Sequence, residues 1–152
     1  GLVFWIGDDN KIYRSDAQFR FAQLIVEDTS LPMDIEVDAE GRHIYWLDQV
    51  SHAIKRANLD GTDIREIQLV DITTSEFVLD VENARFFTLS NVDSPSINQY
   101  FFTREYTSEV DEREGEAVYS SDNSLGALEL DHTDDVLYWA EAGGSDRANL
   151  VS

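Results

Sequence analysis

Short apolar runs and two-residue alternations, separated by polar turns, make up most of this chain. Ile44-Tyr45-Trp46-Leu47 is a continuous apolar run, the pattern of a strand covered on both faces. Ile64 to Leu69 instead alternates, with Ile64, Glu66 and Gln68 set against Arg65, Ile67 and Leu69. Between such segments lie Glu40-Gly41 and Asp60-Gly61, where glycine reaches positive φ without a steric cost. No window of helical length keeps a 3.6-residue apolar period. The nearest, Ala17 to Val26, closes on Ile25-Val26 and reads as a turn followed by a strand. The pattern predicts an all-β chain.

The strands repeat. Phe4-Trp5, Tyr45-Trp46 and Phe86-Phe87 fall 41 residues apart, and Tyr138-Trp139 follows after 52. Upstream of three of these aromatics stand Val37-Asp38, Leu79-Asp80 and Leu130-Asp131; basic residues such as Arg14, Arg56 and Arg147 follow them. Each unit holds about four strands, which is the size of a propeller blade. The expected fold is therefore a β-propeller with about 3.5 four-stranded blades, spanning approximately 1–33, 34–75, 76–126 and 127–152. Trp5, Trp46, Phe87 and Trp139 are expected at equivalent positions of successive blades.

Pro32, Ile35, Val37-Asp38, Ile44-Tyr45-Trp46-Leu47-Asp48, Ile54, Arg56 and Asn58-Leu59-Asp60-Gly61 resemble one full repeat of the YWTD family, the class B repeat of low-density-lipoprotein-receptor-type propellers. The likeness is specific over residues 32 to 61 and fainter elsewhere. Leu47 stands where that family usually has Thr, Phe86-Phe87-Thr88-Leu89 lacks the Tyr-Trp pair and the Asp, and Tyr138-Trp139-Ala140-Glu141 ends in Glu.

The resemblance implies a six-bladed ring in which Asp8, Arg14, Asp48 and Arg56 are structural residues bonding between blades, and in which position 47 faces a turn or an inter-blade crevice. Six units of this size need roughly 250 residues against the 152 present. A segment of a longer chain is the preferred expectation, and a half-ring completed by a second copy the alternative. The function implied is a non-catalytic protein-interaction module of an extracellular or cell-surface protein. The alternative is a metal-dependent six-bladed hydrolase of lactonase type, with Asp34, Glu36 or Glu129 supplying carboxylates, although acids recur on these strands without a shared register.

Charge narrows the partners. Eleven Lys and Arg face 31 Asp and Glu, a formal net charge of −20. Such a surface repels phosphate backbones and anionic lipid, and favours basic proteins, cations or a saline setting. Hydrophobic residues at 42% still supply a packed core. Cysteine is absent, which removes disulfides, thiolate metal sites and thiol chemistry together. The apolar stretches fall far short of the roughly 20 residues that span a bilayer.

The third unit is longer: Phe87 to Asp131 is 44 residues, against 33 from Trp5 to Asp38 and 34 from Trp46 to Asp80. The excess falls around Glu105 to Glu116, where Glu105, Glu109, Asp111, Glu112, Glu114 and Glu116 stand with the single base Arg113. These six acids are the candidate surface for a basic partner; the plainer reading is a solvated insertion. His43, His52 and His132 are too scattered to aim two imidazoles at one metal, and no nucleophile elbow accompanies Asp131-His132. Asp8-Asp9-Asn10 and Asp60-Gly61-Thr62-Asp63 offer calcium ligands without the ordered spacing of a calcium loop, so no cofactor is expected.

Overall fold

A computed structural model describes residues 1–27, 30–92, 94–102 and 114–142, together with the backbone of 147–150. Fourteen strands form four consecutive antiparallel sheets, each a simple meander, and no helix occurs among the described residues. The first sheet holds β1 (Leu2–Ile6), β2 (Ile12–Asp16) and β3 (Gln23–Val26). The second holds β4 (Pro32–Asp38), β5 (His43–Asp48), β6 (Ala53–Asn58) and β7 (Arg65–Leu69). The third comprises β8 (Thr74–Asp80), β9 (Arg85–Ser90), β10 (Ser96–Phe101) and β11 (Glu116–Ser120), and the fourth β12 (Leu125–Asp131), β13 (Val136–Glu141) and β14 (Arg147–Leu150).

The turn that opens each aromatic strand fixes the repeat. Asp38 faces His43 across the β4–β5 turn, Asp80 faces Arg85 across β8–β9, and Asp131 faces Val136 across β12–β13. In each turn the aspartate accepts a backbone N–H: from Gly41 at 2.7 Å, from Asn83 at 3.1 Å and from Thr133 at 2.8 Å. The last turn residue is left-handed every time, at φ 61° for Arg42, 51° for Ala84 and 54° for Asp135. Glycine is therefore not what supplies positive φ at Glu40-Gly41; Arg42 does. Gly61 does have φ 83°, and it must be glycine, since a Cβ there would sit 1.8 Å from the Ile25 carbonyl oxygen of the first sheet.

This register corrects one sequence expectation. Counting from the turns, Tyr45, Phe87 and Tyr138 are equivalent, and so are Trp46, Thr88 and Trp139. Phe87 lies on the equivalent strand to Trp46 but one residue out of step, so its side chain points to the opposite neighbour. The 41-residue aromatic spacing gave a false match because blade three carries its aromatic pair one position earlier.

Alternation then builds three seams between sheets. Ile44, Trp46 and Ala57 pack with Ile12 and Val26 at the first seam. Tyr45, Leu47 and Ile54 meet Phe77, Leu79, Phe86 and Tyr100 at the second. Phe87, Leu89 and Ile97 meet Leu128, Leu130, Leu137 and Trp139 at the third. Leu47 is 1% exposed inside the second seam, so of the turn or inter-blade crevice that the resemblance implied it takes the inter-blade place, as a fully packed side chain.

Candidate functional site

The first strands of successive sheets run beside one another, and their acidic side chains gather along that inner edge. Asp34 accepts the N–H of Ile35 at 2.9 Å through Oδ1, and that of Phe77 in the next sheet at 3.0 Å through Oδ2. Glu76 repeats the arrangement one sheet on, where its Oε1 accepts the Leu128 N–H at 3.0 Å. Ile35, Phe77 and Leu128 occupy the same register position, opposite Trp46, Thr88 and Trp139. Each carboxylate thus satisfies an inner-strand N–H of the following sheet, forming a recurrent bracket across the seam.

The same edge holds Glu36 and Glu129. Burial pushes the Glu36 carboxyl up to about 7, and the nearby charges of Asp34, Glu129 and Glu76 add to the effect. Burial also raises Asp34, against the opposing pull of the Phe77 and Ile35 N–H groups, and raises Glu76 against that of Leu128. The acids recur with a shared register at Asp34 and Glu76, which sequence reading had missed. An acid immediately before the apolar residue opposite the aromatic strand, recurring 42 residues later, was the available signal. Among the described residues no three His or acidic side chains are grouped so as to hold a metal ion.

The four residues expected to bond between blades separate in the structure. Arg14 does cross the first seam, donating from Nη1 to the Leu59 carbonyl at 2.8 Å. Arg56 is its register equivalent, opposite Tyr45 as Arg14 is opposite Phe4, and it lines a cleft at the second seam beside His43. Asp48 instead works within its own sheet and the segment entering it. It accepts Lys55 Nζ at 2.8 Å and the N–H groups of Val50, Ser51 and Ser30. Burial opposes the ionisation of Asp48, but Lys55 and the Ser51 and Val50 N–H groups outweigh it and hold the carboxyl below its ordinary range. Glu141, at the same register position in the fourth sheet, accepts Ser121 Oγ and Asn123 Nδ2 from the segment leading into that sheet, and also the Tyr119 hydroxyl from β11 of the third sheet. Asp8 lies exposed in the β1–β2 turn, where it is Asp9 that accepts the Tyr13 hydroxyl at 2.7 Å.

Two further inter-sheet links had no sequence signal. Arg85 is buried and spans the third seam, bonding Asp80 at 2.6 Å through Nε and Asp135 of the fourth sheet at 2.5 Å through Nη2. Its guanidinium lies 5.2 Å from the Phe87 ring centroid. Asn91 and Leu125 exchange a reciprocal pair, 2.6 Å into the Asn91 carbonyl oxygen and 2.5 Å from its amide nitrogen.

Of the acidic stretch, Glu105, Glu109, Asp111 and Glu112 lie outside the described residues. Glu116 begins β11, the outer edge strand of the third sheet, and is exposed; Glu114 lies beside it, also exposed, at the mouth of a cavity of about 420 Å³ shared with Asp71, Asn98 and Tyr100.

Four consecutive meander sheets packed face to face make this chain part of a β-propeller. No protein-family model matches the sequence, and no curated protein does. Solved structures match in fold. A chain in the crystal structure of a nidogen/laminin complex superposes with a TM-score of 0.71 at 20% identity, covering 93% of this chain and 52% of that one. The Cps50 (Swd1) β-propeller domain of Myceliophteria thermophila gives 0.61 at 9% identity, covering 97% and 55%. A protein assigned as a 6-phosphogluconolactonase of Bacteroides uniformis gives 0.56 at 13%, covering 90% and 46%. The chain spans about half the length of these structures.

Proposed function

We propose that this chain is part of a YWTD-type, six-bladed extracellular propeller that acts as a non-catalytic protein-interaction module for a basic partner. The observation that carries the reading is the use made of the inner acids. Asp34 and Glu76 each engage the next sheet's backbone, so they tie the sheets together and are not presented jointly to a substrate. A rigid scaffold of this kind offers preorganised loops and seams to another protein. The likeness to a chain from a nidogen/laminin complex, the net charge of −20 and the YWTD-like repeat over residues 32 to 61 support the same reading.

The lactonase-type alternative draws on Glu36, held near neutrality next to three other acids, and on the likeness to the protein assigned as a 6-phosphogluconolactonase. One paired experiment separates the two. The protein is titrated against an array of basic secreted and matrix proteins, including laminin fragments, at low and physiological salt, and assayed in parallel for lactone and ester hydrolysis with added divalent cations. Saturable binding that weakens with salt, without turnover, is the expected result. Metal-dependent turnover lost in Glu36→Gln would overturn it.

A further inference from the structure

The third seam supplies an internal template for reading the second. At the third, the Arg85 guanidinium fills the space between sheets, lying over Phe87 and bonded to Asp80 on its own sheet and Asp135 on the next. Every one of these positions has a counterpart at the second seam. Asp38 matches Asp80 and Tyr45 matches Phe87, but His43 stands in place of Arg85 and Ala84 in place of Asp135. The plug is therefore missing. A cleft of about 690 Å³ opens there, lined by Asp38, Glu40, His43, Tyr45, Arg56 and Glu82, with apolar walls from Val81 and Phe102.

We propose that this cleft receives an arginine side chain of a partner protein, whose guanidinium takes the place that Arg85 occupies one seam further on. Asp38 and Tyr45, which match Asp80 and Phe87, line the cleft, and the Gly41 N–H holds the Asp38 carboxylate in place at 2.7 Å. Glu82, exposed in the β8–β9 turn, supplies the acid on the far wall that Asp135 supplies at the third seam, and Glu40 adds a second at the rim. Arg56 is the one permanent cation in the lining, against three acids, so the cleft keeps a negative balance and favours a cationic occupant. His43 is less basic than an ordinary histidine, through burial and the charge of Arg56, and so adds little opposing charge. A guanidinium suits the site better than an ammonium because it is planar, can bond two acids at once and stacks on aromatic faces.

This inference rests on the protein-interaction reading but is tested apart from it. The intact protein is titrated with N-acetyl-argininamide and with the neutral isostere N-acetyl-citrullinamide, and amide shifts are followed by NMR. Arginine is expected to move the resonances of residues 37–43, 81–84 and 102, and citrulline to leave them in place. Glu82→Gln, an exposed change, should weaken the arginine affinity about threefold. His43→Arg with Ala84→Asp rebuilds the third-seam plug and should abolish the shifts while raising the melting temperature. Shifts that are scattered over the acidic surface, equal for citrulline, or unchanged in the plugged variant would overturn the proposal. A protein partner that binds the plugged variant as tightly as the parent would remove the cleft and leave the interaction reading standing. Argininamide binding in the cleft, with no protein bound anywhere, would do the reverse.

Discussion

Trp46 and Leu47 adjoin in sequence and face different neighbours, Trp46 toward the first sheet and Leu47 toward the third, both essentially inaccessible to solvent. Trp46→Ala leaves a large void and should cost about 3–5 kcal/mol. Leu47→Thr buries a hydroxyl where a methyl group packed and should cost about 2 kcal/mol. Urea melts of the two variants check both values, and a neutral Leu47→Thr would contradict the tight packing of position 47 in the second seam. Arg85 makes a different case, since Arg85→Met leaves Asp80 buried with only Asn83 beside it. Breaking such a pair from one side costs about 3 kcal/mol. At this scale the sequence was legible where a residue type is forced by packing, as at Trp46 and Ile44. It was not legible at Arg85 or Asn91, because their partners lie 50 and 34 residues away and belong to no local pattern.

The sheets themselves were readable, because alternation and turn chemistry are local: β4 to β6 follow the YWTD-like stretch closely, β7 falls on the alternation of Ile64 to Leu69, and Ala17 to Val26 forms a turn leading into β3. Register was the weaker point. A two-residue period changes face with a single slip, and the Phe86-Phe87 pair sits one step earlier than Tyr45-Trp46. The turn aspartates, spaced 42 residues apart from Asp38 to Asp80, carried the true register. The inner-edge acids make a pH prediction. The folded chain keeps the Glu36 proton between the ordinary 4.5 and about 7, a window in which the unfolded chain has released it. Stability should therefore fall as pH rises through that window. Asp48 and Asp80 act oppositely: their folded carboxyls are held low, so stability is also lost as pH falls through and below the ordinary carboxylate range. Thermal melts should peak near pH 5, and Glu36→Gln should flatten the neutral limb while leaving the acid limb in place. A neutral limb unchanged by Glu36→Gln would mean that other groups set it.

At the scale of the whole molecule, the excess of 31 acids over 11 bases repels itself across the fold. Added sodium chloride between low and physiological strength shortens the screening length to about 8 Å, and should raise the melting temperature while slowing association with any basic partner. Apolar packing and the Arg14, Arg85 and Asn91 links hold the seams, and at the inner edge the second, third and fourth sheets are joined by the bracket that Asp34 and Glu76 each make to the next sheet. Amide hydrogen exchange reads it directly. In the parent protein the Phe77 and Leu128 N–H groups should be among the slowest to exchange. Asp34→Ala should speed exchange at Phe77 by about tenfold or more and leave Leu128 protected, whereas Glu76→Ala should do the converse, since a lost charge-assisted hydrogen bond is worth about 1.5–3 kcal/mol. Exchange at Phe77 that is as slow in Asp34→Ala as in the parent would contradict the bracket, and with it the account of how the inner edges of these sheets are tied together.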